Sequence, residues 1–417
     1  MNLFFKKIII PTGLRSHCLW FVCVLAVALS FSTLNAHAEG FTTKAKQAIL
    51  MDAKSGAVLF QKNAYDLVPP ASMSKLMTLA VVFEALRTGK ITLSDTFPVS
   101  EHAWRTGGAP SGTSAMFAPL HKQVSVEDLI KGIAIQSGND ACIILAEGMA
   151  GGEAAFAKRM TDFARKIGLK KSTFGNPTGL PHPDQIMSAY EIAQLARYII
   201  YKYPEYYKYF GMKKFPYQPK GRRRPYAFYN RNPLLSAGIG ADGLKTGHLE
   251  VSGYGLVGSA VQDGRRLIAV VHGLKSKRER KQEGKKLLEW GFRNFTKHKL
   301  FAEGEIVGSA RVLGGDKFYV PLTGDGEIYV ILPRNPQNPK LYAEVRYKGP
   351  LKPPVKKGDQ VATLRVTTSS NTINEIPLYA AEDVEEASVV RRGLDTLVIL
   401  GFRWASDKAS QMLGRGS

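Results

Sequence analysis

The sequence predicts an α+β protein: a large domain that mixes helices and strands, followed by a smaller all-β domain. Residues 41 to about 300 alternate between helical and strand-like spacing of apolar residues. Beyond Phe301 the helical spacing gives way to short alternating stretches separated by glycine and proline turns, as far as about Ala380. A chain of 417 residues with 44% apolar composition suits two or three domains with ordinary cores.

The first 38 residues have the pattern of a secretory signal. Lys6, Lys7 and Arg15 precede an uncharged apolar run from Leu19 to Leu34, and Ala36-His37-Ala38 supplies the small residues of a cleavage site. We therefore predict that this segment is removed on export. An uncleaved N-terminal anchor is the alternative, and the small residues at the cleavage position disfavour it.

The chain is strongly basic, with a formal net charge of +22. Without the signal, which has three cations and no acid, the charge falls to about +19. A basic exported protein suits phospholipid head groups, an anionic cell-wall polymer or a carboxylate-bearing substrate. The densest cluster, Lys220 with Arg222-Arg223-Arg224, lies between Pro219 and Pro225. Such a short run is typical of a solvated loop, and export disfavours nucleic acid as a partner.

The cysteines and histidines predict no disulfide, no metal site and no cofactor. Cys18 and Cys23 lie in the predicted signal, so only Cys142 is left in the exported chain. Cys142 lies in an apolar helical run, Ala141 to Ala146, which predicts a core residue. No H-E-x-x-H and no histidine pair at i, i+4 is present.

Local patterns predict the elements of the large domain in order. Two short strands, Ala48–Asp52 and Ala57–Gln61, flank a turn, and two more, Ser252–Ala260 and Arg266–Gly273, are expected to be neighbours. Ser188-Ala189-Tyr190-Glu191 has the spacing of a capping box. Apolar spacing predicts helices over Ser72–Leu86 with Gly89 past its end, Val126–Ile135, Ala141–Ala150, Ile192–Ile200 and Gln282–Phe292.

The chain has a single S-x-x-K motif, Ser72-Met73-Ser74-Lys75, at the start of its strongest helical pattern. Side chains three residues apart on a helix are neighbours, so the Lys75 amine can lie beside Ser72 Oγ. A serine hydroxyl needs a base to become a nucleophile. Lysine is a base only when neutral, which burial and a nearby cation such as Lys245 favour. Alone, an N-cap serine and a solvated lysine are the more ordinary explanation.

Two further motifs follow in order. Ser137-Gly138-Asn139 falls between two apolar helices and can position a substrate amide and relay a proton, or can be an ordinary polar turn. Lys245-Thr246-Gly247 precedes a strand, where an edge glycine lets a substrate backbone approach and N–H groups stabilise an oxyanion. Gly238–Gly243 matches G-x-G-x-x-G but leads into a strand, so we predict no dinucleotide site. Together the three motifs indicate a serine enzyme that acylates itself on a D-amino-acid peptide or a β-lactam.

The motifs resemble those of the penicilloyl serine transferases, and closely those of the low-molecular-mass penicillin-binding proteins that are D-alanyl-D-alanine carboxypeptidases of peptidase S11 type. The resemblance is carried by Pro70–Lys75, Gln136–Ala141, Asp242–His248 and Lys285–Phe292. It implies a β-lactamase/transpeptidase-like domain, an antiparallel sheet with helices on both sides, over 39–300. A small β-sandwich over 301–381 and an amphipathic tail over 382–417 would follow.

The resemblance also implies catalytic roles. Ser72 would be the nucleophile and Lys75 its general base, with Ser137 as a further catalytic residue lining the cleft. An oxyanion hole would be formed by the backbone N–H groups of Ser72 and His248.

The substrate-binding residues are implied in the same way. Arg280 would hold the terminal carboxylate, with Arg278 as a near alternative. The other implied binding residues are Asn139, Lys245, Thr246, Gly247 and His248.

The implied reaction removes the terminal D-alanine from the stem pentapeptide of peptidoglycan, through an acyl-enzyme that β-lactams also form. The alternatives are a murein D,D-endopeptidase of the same fold, an inactive basic wall-binding protein and a β-lactamase. Ser-Gly-Asn stands where class A β-lactamases have Ser-Asp-Asn, which disfavours the last. The segment Phe174 to Asp184 offers only Asp184 in place of their deacylating glutamate. We therefore expect slow release of β-lactams, with the deacylation base unassigned.

The last 36 residues contain an amphipathic pattern, with Arg392 and Arg403 opposite an apolar face. Its longest uncharged stretch, Thr396–Phe402, is too short to span a bilayer. Such a helix can lie in an anionic membrane surface, or dock on the protein or a partner. The resemblance favours attachment to the periplasmic face of the inner membrane. The apolar face comprises Val390, Leu394, Leu397, Gly401 and Trp404.

Overall fold

A computed structural model describes residues 6–10, 41–334, 341–368 and 373–388. The described residues divide into two compact units, a larger one within 41–294 and a smaller one that contains the described residues from Phe295 onward together with residues 6–10. The smaller unit thus begins at Phe295, six residues before the boundary at 301 that composition suggested, because strand pairing resumes directly after the last helix of the larger unit.

Within the described residues the α-helices all lie in the larger unit, and they are α1 (Lys75–Arg87), α2 (Val126–Lys131), α3 (Asn139–Ala150), α4 (Glu153–Lys166), α5 (Ala189–Lys202), α6 (Pro204–Gly211) and α7 (Lys277–Asn294). The strands up to the end of the larger unit are β1 (Lys6–Ile10), β2 (Gln47–Asp52), β3 (Val58–Lys62), β4 (Thr96–Pro98), β5 (Gln123–Ser125), β6 (Lys214–Tyr217), β7 (Tyr226–Tyr229), β8 (Ala241–Leu249), β9 (Gly253–Gln262) and β10 (Arg265–Leu274). The later strands are β11 (Phe295–Phe301), β12 (Gly308–Arg311), β13 (Tyr319–Thr323), β14 (Ile328–Pro333), β15 (Leu341–Arg346), β16 (Gln360–Thr368) and β17 (Ile373–Ala380).

A five-stranded antiparallel sheet forms the centre of the larger unit, in the order β3-β2-β10-β9-β8. Alternate residues of β2 point to opposite faces: Ile49 belongs to the core shared with helices α1 to α6, and Leu50 to the core shared with α7. This confirms the predicted sheet with helices on both sides. Strand β8, which contains the K-T-G motif, lies at one edge of the sheet.

Helix α1 is buried on almost every side. Ten of its thirteen residues, from Lys75 to Leu86, are buried, so it lies in the interior of the large core. A 3₁₀ turn, Ala71–Ser74, precedes it, so Ser72 lies in this turn and not in the α-helix itself. Beyond the helix, Gly89 has a φ of +68°, which agrees with the predicted glycine stop.

The structure corrects three local predictions. Helix α2 ends at Lys131, and Gly132–Gln136 form a π-helical turn in place of the predicted helical residues to 135. Ser188 Oγ caps α5 by accepting a hydrogen bond from Glu191 N at 3.1 Å, but the Glu191 carboxylate accepts from Ser172 N at 2.6 Å instead of completing a capping box. Helix α7 begins five residues before Gln282, at Lys277.

The smaller unit is all β among the residues described, as predicted. A six-stranded sheet in the order β1-β15-β16-β17-β13-β12 and a two-stranded sheet of β11 and β14 share one core, which includes Val320, Val330, Leu364 and Leu378. The predicted cleavage site and apolar run of the signal fall outside the described residues, as does the predicted amphipathic face beyond residue 388. None of the described helices is both long enough and apolar enough to cross a membrane.

Candidate active site

The first two motifs meet at the amine of Lys75. Its Nζ lies 2.9 Å from Ser72 Oγ and donates a 2.7 Å hydrogen bond to Asn139 Oδ1. It also donates to the main-chain carbonyl of Thr178. A neutral lysine has two N–H groups and one lone pair, so these two acceptors take both N–H groups and leave the lone pair for the Ser72 hydroxyl. The arrangement suits a general base acting on serine.

Burial makes the Lys75 ammonium acidic enough to lose its proton near neutral pH, as this role requires. The residue is fully buried, and desolvation, assisted by the positive charge of Arg231, lowers its pKa from 10.5 to about 8. The charge on Asp140 and the thiol of Cys142 act in the opposite direction. At pH 7 about one amine in ten is then neutral, against about one in three thousand for an ordinary lysine. Arg231 is thus a cation acting on Lys75 that the sequence did not indicate.

The second and third motifs meet at Lys245. Its Nζ donates to Ser137 Oγ at 2.9 Å and to the carbonyl of Thr246 at 3.1 Å. Burial, and then the positive charge of Lys75, hold the pKa of Lys245 well below its usual value. Ser137 has a φ of +65°, a left-handed conformation that a non-glycine residue seldom adopts and that is often found at functional sites. The serine hydroxyl therefore sits between the loop and the edge strand.

The edge strand approaches the nucleophile closely because of Gly247. A Cβ atom at this position would lie 3.0 Å from the carbonyl oxygen of Pro70 and 3.1 Å from the Cβ of Ala71. A larger residue would therefore push β8 away from the turn that carries Ser72. Ser72 itself is only partly buried, so its hydroxyl is accessible from the cleft beside this strand.

Arg280, and not Arg278, lies beside the K-T-G strand. Arg280 is buried, with Nη1 3.5 Å from the Gly247 carbonyl and its guanidinium 5.6 Å from the centre of the Tyr254 ring. Its Nε has no hydrogen-bond partner among the described residues. The His248 ring stacks on the same tyrosine at 3.8 Å. Arg278 is exposed on the first turn of α7. A buried guanidinium with an unused donor suits an incoming carboxylate.

Arg231 and the loop that contains Thr113 and Ser114 also border the cleft, and the sequence did not indicate either of them. Arg231 Nη1 donates to Ser114 Oγ at 2.6 Å, and Asn139 Nδ2 donates to Thr113 Oγ1 at 2.9 Å. Asp140, within the second motif, accepts from Met116 N at 2.9 Å and so holds the same loop in place. No local pattern distinguished Arg231 from the other arginines of the chain. Its place beside the cleft depends on its contact with Ser114, more than a hundred residues earlier.

The carbonyl of Thr178 was invisible to sequence analysis because a main-chain oxygen leaves no signature. The Asn176 side chain shapes this loop by accepting from Thr178 N at 3.1 Å and from Gly179 N at 2.8 Å. Gly179 has a φ of +78°, and a Cβ there would meet the Ala71 carbonyl at 2.2 Å. Asp184, in the same segment, has a side chain 76% exposed and 3.9 Å from His182, away from the lysines.

Cys142 is buried in the core, as predicted, and desolvation raises the pKa of its thiol to about 12. Such a thiol stays protonated and unreactive at neutral pH. Across the described ranges, no group of three or more histidine, cysteine, aspartate or glutamate side chains is arranged to hold a metal ion.

The fold and the site define a penicillin-binding type of serine peptidase. Residues 33–276 match the family model described as D-alanyl-D-alanine carboxypeptidase, and residues 295–386 match the penicillin-binding protein 5 C-terminal domain. The chain belongs to the D-alanyl-D-alanine carboxypeptidase family, peptidase S11.

The similar proteins are each matched over most of their own length. The D-alanyl-D-alanine carboxypeptidase DacC of Escherichia coli K12 is 40% identical over 370 residues, 88% of this chain and 90% of that protein. The crystal structure of penicillin-binding protein 5 from Haemophilus influenzae has 36% identity and a TM-score of 0.71, covering 83% of this chain and 98% of that one. Penicillin-binding protein D2 from Listeria monocytogenes, solved in a cefotaxime-bound form, has 27% identity and a TM-score of 0.54, covering 61% and 99%.

Proposed function

We propose that this protein is a serine-type D-alanyl-D-alanine carboxypeptidase that removes the terminal D-alanine from peptidoglycan stem pentapeptides. The observation that carries the proposal is the buried Lys75 amine, 2.9 Å from Ser72 Oγ and with its pKa lowered to about 8. The full-length similarity to carboxypeptidases, including the C-terminal domain, favours this activity over a D,D-endopeptidase or an inactive wall-binding protein.

In the acylation step, Ser72 Oγ attacks the carbonyl carbon of the penultimate D-alanine, and its proton passes to Lys75 Nζ. The backbone N–H groups of Ser72 and His248 stabilise the oxyanion. Breaking the peptide C–N bond releases D-alanine, whose amine takes up the proton that Lys75 Nζ accepted from Ser72. Ser137 is the proposed relay, since its hydroxyl is bonded to Lys245 at 2.9 Å. The acyl group is left as an ester on Ser72.

The substrate backbone is proposed to pair with the edge strand β8, in the manner of a peptide that extends a sheet. Its terminal carboxylate then lies near Thr246, Gly247 and Arg280, where the Arg280 guanidinium has a donor to offer. The Asn139 side-chain amide lines the opposite side of the cleft. It is proposed to form a hydrogen bond with an amide group further along the peptide.

Water then hydrolyses the ester. No carboxylate among the described residues is hydrogen-bonded to Ser72 or Lys75, where class A β-lactamases use a glutamate to activate this water. A β-lactam adduct is therefore expected to persist, and β-lactams to act as covalent inhibitors.

We further propose that the protein is exported and attached to the periplasmic face of the inner membrane through its C-terminal amphipathic segment. The basic net charge, about +19 once the predicted signal is removed, supports contact with an anionic surface. Truncation before Ala387 is expected to leave an active enzyme that no longer pellets with membranes. Continued pelleting of the truncated form would refute the anchor.

The proposed reaction is tested by recording the intact mass of the exported form after mixing with benzylpenicillin, with Ser72→Ala alongside. We expect one long-lived adduct in the parent protein and none in the variant. Rapid drug hydrolysis without an adduct would indicate a β-lactamase, and intact drug without an adduct would indicate a binding protein. Product analysis on purified muropeptides separates D-alanine release from cross-bridge cleavage.

A further inference from the structure

Three residues of the exposed basic loop, Lys220, Gly221 and Arg222, form part of one wall of a groove. Strands β6 and β7 pair from Lys214 opposite Tyr229 to Tyr217 opposite Tyr226, and the segment lies in the loop between them. The groove has a volume of about 420 Å³. It is lined by Trp104, Ala109, Phe117, Ala118, Pro119, Pro219, Lys220, Gly221, Arg222 and Tyr226.

The loop is held in one shape by its own contacts. The Arg222 guanidinium stacks 3.7 Å above the Tyr226 ring, and its Nη1 donates to the Tyr226 hydroxyl at 3.1 Å. Arg222 Nε donates to the carbonyl of Arg224 at 2.8 Å, and Gln218 Nε2 donates to the carbonyl of Arg222 at 3.1 Å. The positive charge is therefore presented at a defined position beside an aromatic face.

The lining combines cations with aromatic rings and contains no acidic residue. The Phe117 ring lies 5.3 Å from that of Tyr226. Phe117 is exposed, and its backbone has a φ of +61°. Lys220 is also exposed. Aromatic faces offer packing surface to the apolar faces of sugar rings, and arginine and lysine offer charged donors to carboxylates. The groove thus suits an anionic glycopeptide.

Both walls of the groove continue directly into the catalytic cleft. Three residues before Phe117, the Ser114 carbonyl accepts from Asn139 N at 2.6 Å, and the Ser114 hydroxyl accepts from Arg231. Five residues after Tyr226, Arg231 itself reaches the cleft. These separations correspond to at most about 10 Å and 17 Å of extended chain, and an extended pentapeptide spans about 17 Å. A substrate with its D-alanyl end at Ser72 can therefore reach the groove.

We propose that this groove is a subsite for the carboxylate-bearing glycopeptide portion of peptidoglycan, the part that precedes the D-alanyl-D-alanine end in the substrate. The subsite rests on the proposed carboxypeptidase activity. Lys220 and Arg222 bind stem-peptide carboxylates, and Trp104, Phe117 and Tyr226 pack against the sugar. The groove discriminates between a polymer-derived substrate and a short peptide, while the chemistry at Ser72 is the same for both.

The test compares two substrates: diacetyl-L-lysyl-D-alanyl-D-alanine, which lacks the stem carboxylates and sugars, and a purified disaccharide pentapeptide. The variant is Lys220→Ala with Arg222→Ala. Its matched control is Lys202→Ala with Lys213→Ala, which removes two exposed cations outside the groove. Exposed charge contacts contribute up to about 1 kcal/mol each, so we expect kcat/KM on the disaccharide pentapeptide to fall about fivefold or more at low salt. The tripeptide value should stay within about twofold, and the loss should shrink in high salt as charges are screened.

The double variant removes the contacts of Arg222 and could change the shape of the loop. The single variant Lys220→Glu leaves those contacts in place, so it separates loss of charge from loss of loop structure. It should reduce kcat/KM on the disaccharide pentapeptide selectively. The subsite alone would be overturned if kcat/KM on the disaccharide pentapeptide were unchanged in both groove variants. It would also be overturned if kcat/KM fell equally on both substrates, or fell as much in the control variant. A parent protein that releases D-alanine from neither substrate would instead overturn the proposed function, and the subsite with it.

Discussion

Asn139 Oδ1 accepts a 2.7 Å hydrogen bond from Lys75 Nζ and so joins the Ser-Gly-Asn turn to the start of the helix that follows the nucleophile. Together with the Thr178 carbonyl, this acceptor occupies both N–H groups of a neutral amine. The lone pair of the neutral amine then faces the Ser72 hydroxyl. The orientation of the base is thus decided by two acceptors from distant parts of the chain.

Acylation should depend on pH through Lys75. The lysine is a base only when unprotonated, and its pKa is lowered to about 8. Below this pH the neutral fraction falls tenfold per unit, so the second-order rate of acylation by benzylpenicillin should rise with pH and level off above about 8. Stopped-flow measurements from pH 6 to 9.5 give the profile. A rate independent of pH between 6 and 8 would contradict the assignment of Lys75 as base.

Removing the charge of Arg231 should move that profile. The Arg231 guanidinium is one of the groups that lower the pKa of Lys75, so Arg231→Gln should shift the midpoint of acylation to higher pH. The variant is then severalfold slower at pH 7 and recovers part of its rate at pH 9. Arg293→Gln, an exposed arginine of α7, is the control and should leave the midpoint unchanged. A uniform loss at every pH would mean that Arg231 acts by another route.

Gly179→Ala should damage both stability and acylation. The added Cβ would meet the Ala71 carbonyl at 2.2 Å and Ser74 Oγ at 2.6 Å, and would displace the loop that offers its carbonyl to Lys75. Gly168→Ala is the matched control, because Gly168 also has a positive φ, +89°, but has nothing within 4 Å of the added atom. Urea unfolding should show a loss of about 1 kcal/mol for the control and at least about 2 kcal/mol for Gly179→Ala. Equal losses would show that only backbone conformation matters there.

Arg280→Gln should weaken turnover of peptides with a free terminal carboxylate. Loss of a buried charged hydrogen-bond donor costs about 2–3 kcal/mol, which lowers kcat/KM by roughly 30-fold to 150-fold. Arg278→Gln, two residues earlier and exposed, should change kcat/KM by less than about twofold. Steady-state release of D-alanine decides between them, and a larger effect at Arg278 would reverse the assignment.

Much of the fold was predictable because amphipathic spacing is a local property. Helix α1, the paired strands β2 and β3, and the neighbours β9 and β10 lie where apolar spacing placed them, within a few residues. Of the two hydrogen bonds of the predicted capping box at Ser188, only the one from Glu191 N to Ser188 Oγ forms. The Glu191 carboxylate accepts from Ser172 N instead of from Ser188 N. That competition comes from 19 residues earlier, beyond the range of a local pattern.

The sequence by itself determined the order of the three motifs and the i, i+3 pairing of Ser72 with Lys75, because both follow from local spacing. Only the tertiary structure revealed that Arg231 acts on Lys75 and that Arg280 is the arginine beside the K-T-G strand. The partners of Lys75 are 64 and 103 residues away along the chain, and Ser137 is 108 residues from Lys245. Desolvation of both amines results from the packing of these distant segments around them, and a pKa set by packing has no signature in local sequence.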